Sequence, residues 1–165
     1  MVYTKENIKD WVEKQLLDSG LELYVVDVVC RAANRTQFLD VYVDSDEGAT
    51  VSRIAEFSRF LLNAIELDSD VSLVLGGDLR LEVSTPGEKR SLILPRQYLK
   101  NVGRKIGLKI KNEDGGVRVL KGHLMQFQDP FKEVMIKNEE GMTESILFDE
   151  IMEARVEFEV TKFQK

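Results

Sequence analysis

Leu81-Glu82-Val83-Ser84-Thr85-Pro86-Gly87-Glu88-Lys89-Arg90-Ser91-Leu92 separates two textures of chain. It opens as a strand, because Leu81 and Val83 alternate with Glu82 and Ser84, the period of a half-buried ribbon. Thr85-Pro86 ends that ribbon: proline fixes its own φ and has no N–H to donate. The same proline suits the first position of a helical turn. Thr85 is the expected cap of that turn, with Glu88 three residues on, as in a capping box. Lys89 and Arg90 follow, then apolar Leu92-Ile93-Leu94 and Pro95. Taken alone, these residues fit a capped turn joining two domains. They also fit a turn whose N–H groups, hydroxyls and cations hold an anion.

Upstream, the signals alternate between helix and strand. Thr4 is the expected cap of a first helix with Ile8, Trp11, Val12 and Leu16 on one stripe and Gly20 at its end. Leu21 to Arg31 and Gln37 to Asp44 read as two strands joined at Asn34, with Val26, Val28 and Cys30 on one face of the first. Leu39, Val41 and Val43 share a face of the second, opposite Asp40, Tyr42 and Asp44. Asp44-Ser45-Asp46-Glu47-Gly48 lacks the later ligands of a calcium loop and reads as a solvated connection. Thr50 or Ser52 caps a second helix whose stripe is Ile54, Phe57, Leu61 and Ile65, broadened by Phe60 and Ala64. Val71 to Leu75 fits a short strand or a packed loop. The resulting order, αββαβ, makes a two-layer α+β domain. It invites comparison with KH domains, which clamp a nucleic-acid backbone with a Gly-x-x-Gly loop; no Gly-x-x-Gly occurs in the chain.

Downstream of Pro95 the period changes to two. Arg96 to Val102 is expected to form one helical turn with Tyr98 and Leu99 packed inward. Ile106, Leu108 and Ile110 then alternate with Lys105, Lys109 and Lys111. Asn112 to Gly116 is a hairpin loop, and Val117 to Gln128 a long strand with a bend or bulge at Gly122. Phe131 to Lys137, Thr143 to Phe148 and Ala154 to Val160 add three strands, with a short helical turn at Asp149-Glu150-Ile151. Short strands and glycine-rich turns point to a small SH3/Sm-like β-barrel. Two domains follow, residues 1–93 and 94–165.

The 165 residues are 43% hydrophobic and 32% charged, enough for a soluble core. No apolar run approaches the roughly 20 residues that span a bilayer. The first residues carry an acid and no apolar core, so no signal peptide and no membrane partner are expected. One cysteine fits a reducing, cytoplasmic compartment. The net charge of −6 is uneven: residues 1–94 hold 10 Lys/Arg against 17 Asp/Glu, and residues 95–165 hold 13 against 12. Within 96–121, eight bases (Arg96, Lys100, Arg104, Lys105, Lys109, Lys111, Arg118, Lys121) face two acids. An acidic lobe beside a basic patch fits a mixed partner, basic protein on one side and RNA on the other. The motifs of phosphate-binding loops, dinucleotide sites and zinc proteases are absent. One histidine, His123, and one cysteine, Cys30, do not assemble a zinc site or a catalytic dyad. The expectation is a protein with no catalytic residue, no metal and no cofactor. The alternative is an enzyme acting on RNA or a small metabolite through carboxylates.

The run Leu-Glu-Val-Ser-Thr-Pro-Gly at 81–87, with Arg90 beyond it, resembles the signature of the RimP-type ribosome maturation factors. Asp-Val-Tyr-Val-Asp at 40–44 and Ser58-Arg59 support the resemblance. Glu88-Lys89 stands where that family usually has Leu-Asp, and Ser91 where it has proline. The resemblance implies αββαβ followed by a small barrel. It also implies a non-catalytic factor docking, as a monomer, on the immature small ribosomal subunit through ribosomal protein, ribosomal RNA or both. The residues expected to bind are Lys89, Arg90, Arg96, Arg104, Lys105, Lys109 and Lys111.

Overall fold

The first helix of the computed structural model, which describes residues 3–87, 91–128 and 132–157, is α1 (Ile8–Ser19). It buries Ile8, Trp11, Val12 and Leu16, the expected stripe, and ends at Gly20 with φ 72°. The N-cap is Asn7 rather than Thr4. Thr4 instead closes a turn ahead of the helix, its carbonyl accepting from Asn7 N and its N–H donating to Asn7 Oδ1.

β1 (Tyr24–Ala33) and β2 (Thr36–Asp44) form an antiparallel hairpin, and Asn34 takes φ 55° in its turn. The register skips between Val25 and Asp27. The bulge corrects the expected face of β1: the core takes Val25, Val28 and Cys30 in place of Val26, Val28 and Cys30. α2 (Val51–Leu67) starts on Thr50, whose hydroxyl accepts from Arg53 N at 3.2 Å. Phe57, Leu61 and Ile65 are buried on it, whereas Phe60 is 37% exposed and lies outside the core.

Val71 to Leu75 is neither strand nor loop but the body of a third helix, α3 (Ser69–Leu75). Asp68 caps it, accepting from Asp70 N and Val71 N at 3.1 Å each. Val71 and Leu75, one turn apart, are both buried. β3 (Asp78–Ser84) then pairs parallel to β2, giving the sheet order β1-β2-β3. A parallel partner needs a crossover, which α2 and α3 supply. The order is therefore αββααβ. Beyond β3, Thr85 to Gly87 are irregular, so the expected capped turn does not begin at Pro86. Gly87 has φ 69°, a conformation that favours glycine. Glu88, Lys89 and Arg90 lie outside the described residues.

The chain divides into two units, Met1–Pro86 and Gly87–Lys165. In the second, α4 (Pro95–Lys100) is held by Gln97, whose buried Oε1 accepts from Ile93 N at 2.7 Å and Leu94 N at 2.9 Å. Tyr98 is buried against the rings of Phe127 and Phe148, while Leu99 is 54% exposed. Neighbouring helical residues point about 100° apart, so the two do not share the inner face. β4 (Lys105–Lys111), β5 (Val117–Gln128), β6 (Glu133–Lys137), β7 (Thr143–Leu147) and β8 (Ile151–Val156) form one antiparallel sheet, ordered β7-β6-β5-β4-β8. A 3-10 turn, Phe148–Glu150, sits one residue ahead of its expected place. The last strand starts at Ile151 rather than Ala154, and the expected strand positions 131 and 158–160 lie outside the described residues.

Gly122 is not the bulge in β5. The register slips between Leu124 and Gln126. Gly122 marks instead a close approach of strands: a Cβ there would stand 2.4 Å from the Lys137 carbonyl oxygen. Ile106, Leu108, Ile110, Leu124, Val134, Ile136, Ile146 and Ala154 make the core of this unit. The fold is thus α+β, with an N-terminal α/β region and a separate β-sheet region.

Candidate functional site

On β4, Ile106, Leu108 and Ile110 are buried, which turns Lys105, Gly107, Lys109 and Lys111 to the outer face of the sheet. Ladder pairing extends this face across its neighbours. Gly107 stands opposite Lys121 of β5 and Arg155 of β8. Lys105 stands opposite His123, and His123 opposite Lys137 of β6. Directly paired residues project on the same side, so four strands contribute cations to one face.

Most of these cations are engaged. Lys105 Nζ lies 3.2 Å from Glu139, and Lys109 Nζ 3.3 Å from Glu153. Arg155 Nε also contacts Glu153. Lys121 Nζ lies 3.2 Å from Glu157 Oε1. That carboxylate occupies the space above Gly107, where a Cβ would stand 2.9 Å from the same oxygen. Lys111 and Lys137 make no ion pair among the described residues.

The expected binding residues fall in three places. Lys105, Lys109 and Lys111 are brought together on β4, although Lys105 is more covered than an open row implies, its side chain only 24% exposed. Arg96 lies exposed on α4, and Arg104 precedes β4 with Nη1 3.4 Å from Asn101 Oδ1. Lys89 and Arg90 lie outside the described residues. Lys121, Lys137 and Arg155 belong to the face and were not expected there. Lys121 and Lys137 each stand on a strand recognisable in the sequence, but their place beside β4 depends on register across the sheet.

Other features are of a different kind. Arg31 reaches Asp40 at 2.9 Å and lies over the Phe38 ring, 4.2 Å from its centroid. Glu82, from the 81–92 segment, makes no ion pair among the described residues. A shallow groove of about 520 Å3 runs between α1 and α2, lined by Trp11, Phe60, Ala64 and Leu67. A smaller hollow of about 270 Å3 in the second unit is lined by Leu92, Tyr98, Phe148 and Glu153, among others. Burial pushes the Cys30 thiol and the Tyr98 hydroxyl upward in pKa, which keeps both protonated near neutrality. Among the described residues, no three His, Cys, Asp or Glu side chains are grouped to hold a metal ion. No described helix is long and apolar enough to cross a membrane.

The family model of the RimP N-terminal domain matches residues 11–89. The ribosome maturation factor RimP of Chlorobium phaeobacteroides is 30% identical over 69% of this chain and 66% of its own length. The protein of the same name from Prosthecochloris aestuarii is 32% identical over 64% of this chain and 59% of its own length. That of Chlorobium limicola is 31% identical over 76% of this chain and 74% of its own length. The first two matches thus take in just under two thirds, or less, of the relatives' lengths.

Proposed function

Because the chain belongs to the RimP family of ribosome maturation factors, we propose that it is a non-catalytic assembly factor. It binds the immature small ribosomal subunit and assists its maturation. The observation that carries this reading is the match to the Chlorobium limicola factor over 130 residues. That stretch is longer than the first unit, so the likeness extends into the second.

The geometry supports a binding protein. Its charged groups form a broad face, and the two hollows described above are shallow. Of the two acids lining the smaller hollow, Asp149 and Glu153, the second is already shared by Lys109 and Arg155, which leaves it poorly placed as a free base. Arg96, Arg104, Lys105, Lys109 and Lys111, with Lys89 and Arg90, form the contact set of this reading. The first unit is read as KH-like without the Gly-x-x-Gly clamp, and the second as an SH3/Sm-like barrel. Five antiparallel strands in one sheet and the 3-10 turn before the last strand support the latter. Two hydrophobic clusters with no residue in common support two separately folding domains; Leu92 packs against the second cluster, so the boundary expected between residues 93 and 94 is placed ahead of Leu92. The protein works in the cytoplasm as a monomer, without metal or cofactor.

The test is genetic. Cells lacking the protein accumulate small-subunit precursors on sucrose gradients, and a plasmid copy removes them. A normal gradient profile in the deletion strain refutes the assignment.

A further inference from the structure

Resting on that reading of the chain, we propose that the outer face of β4, β5 and β8 docks the phosphate backbone of RNA. Glu153 and Glu157 act there as built-in competitors that the backbone displaces. Charge complementarity carries the choice of partner. Lys105, Lys109, Lys111, Lys121 and Arg155 share this face with the carboxylates Glu139, Glu153 and Glu157, five cations against three anions. The excess positive charge stands in a chain whose net charge is −6, so the patch runs against the composition of the protein.

The shape of the face agrees. Gly107 has no side chain, and its ladder partners on either side are Lys121 and Arg155. The result is a trough with a cation on each flank. The Glu157 carboxylate now fills it, 3.2 Å from Lys121 Nζ. A carboxylate oxygen held by a lysine in a side-chain-free trough marks a place that suits a phosphate oxygen. Glu153 bridges Lys109 and Arg155 along the same two strands, and so keeps a second pair of cations oriented and masked. The cations of these pairs are 56% exposed and the carboxylates 27–30%, so exchanging a carboxylate for a phosphate uncovers no fully buried charge. Phosphate contacts of this kind position a protein without reading sequence. The masking has a function: isolated phosphates do not outcompete two tethered carboxylates, whereas a run of phosphates on a rigid backbone does.

The masking gives an expectation opposite to that of a merely structural ion-pair network. The full chain is titrated with a fluorescent RNA hairpin at two salt concentrations, as wild type, E153Q/E157Q and K109Q/K121Q, with circular dichroism verifying each fold. The proposal expects E153Q/E157Q to bind RNA about threefold or more tighter. Its log K against log salt slope steepens by about one, because cations freed from carboxylates now release solution counter-ions. K109Q/K121Q binds about tenfold weaker with a shallower slope. Folded E153Q/E157Q binding RNA equally or more weakly overturns the proposal, as does wild type that does not bind the hairpin at either salt. The same variants are co-sedimented with small-subunit precursors. If K109Q/K121Q keeps its RNA affinity but no longer sediments, the face belongs to a protein partner and the RNA proposal falls while the assembly reading stands. Failure of wild type to sediment overturns the assembly reading alone, since the hairpin titration judges the face independently.

Discussion

Gly122→Ala is expected to be among the most damaging one-carbon changes available in the second unit. The new Cβ would lie 2.4 Å from the Lys137 carbonyl oxygen, 2.6 Å from Ile136 Cγ2 and 2.9 Å from the Lys137 carbonyl carbon. For the carbonyl oxygen, ordinary van der Waals contact begins a full ångström farther out, and two of the three obstacles are backbone that no rotamer change removes. β5 and β6 must therefore separate at the His123–Lys137 and Leu124–Ile136 pairs. Overpacking of this kind costs about 1–3 kcal/mol, and a weakened ladder hydrogen bond about 1 kcal/mol more. The gain from replacing glycine in a strand is about 0.5–1 kcal/mol. The balance is a loss of about 1–3.5 kcal/mol. Gly107→Ala on the adjacent strand is the control, because its obstacle is the mobile Glu157 carboxylate at 2.9 Å, and its effect should stay within about 0.5 kcal/mol. Urea unfolding followed by far-UV circular dichroism measures both. Trp11, the one tryptophan and buried in the first unit, reports separately on that unit. Gly122→Ala should move the dichroism transition and leave the Trp11 fluorescence transition in place. Equal stabilities for the two glycine variants would refute the reasoning from close strand approach.

Asp68→Ala removes the acceptor of two N–H groups at the start of α3 and should lower stability by about 1 kcal/mol, read from the Trp11 transition. Ser91→Ala removes the hydroxyl that accepts from Ala154 N at 3.0 Å; it should cost about 1 kcal/mol and speed hydrogen exchange of the Ala154 amide, while unchanged exchange would show that solvent replaces the hydroxyl. Burial raises the Cys30 thiol pKa, so at pH 8 the folded chain holds less thiolate than the unfolded one. Iodoacetamide should therefore modify it more slowly in buffer than in urea, and equal rates would contradict this.

Local periodicity made the stripes of α1 and α2 and the alternation of β2 and β4 legible, because each is a repeat of one residue type along a single element. α3 was hidden by its length. Five residues, four of them apolar, fit either period, and Asp68, just past α2, serves as the cap of the next helix. The bulge in β1 broke the period of two by one residue, moving Val25 into the place expected of Val26. Gly122 was recognisable as an exception but not as a close approach, since its obstacle comes from Lys137 on another strand. The candidate face divides in the same way. Lys105, Lys109 and Lys111 could be read as a row on one strand. Lys121, Lys137 and Arg155, and the carboxylates that hold Lys105, Lys109 and Lys121, come together through register between strands. No spacing within a single segment encodes that register.

The central claim is recognition of an unfinished small ribosomal subunit, and sedimentation tests it most directly. Purified full-length chain is mixed in parallel with small-subunit precursors isolated from cells lacking the protein and with mature small subunits, then run on sucrose gradients at moderate salt. The account predicts that the chain travels with the precursors and stays near the top of the gradient with the mature particles. A chain that travels with neither particle, or equally with both, would contradict it.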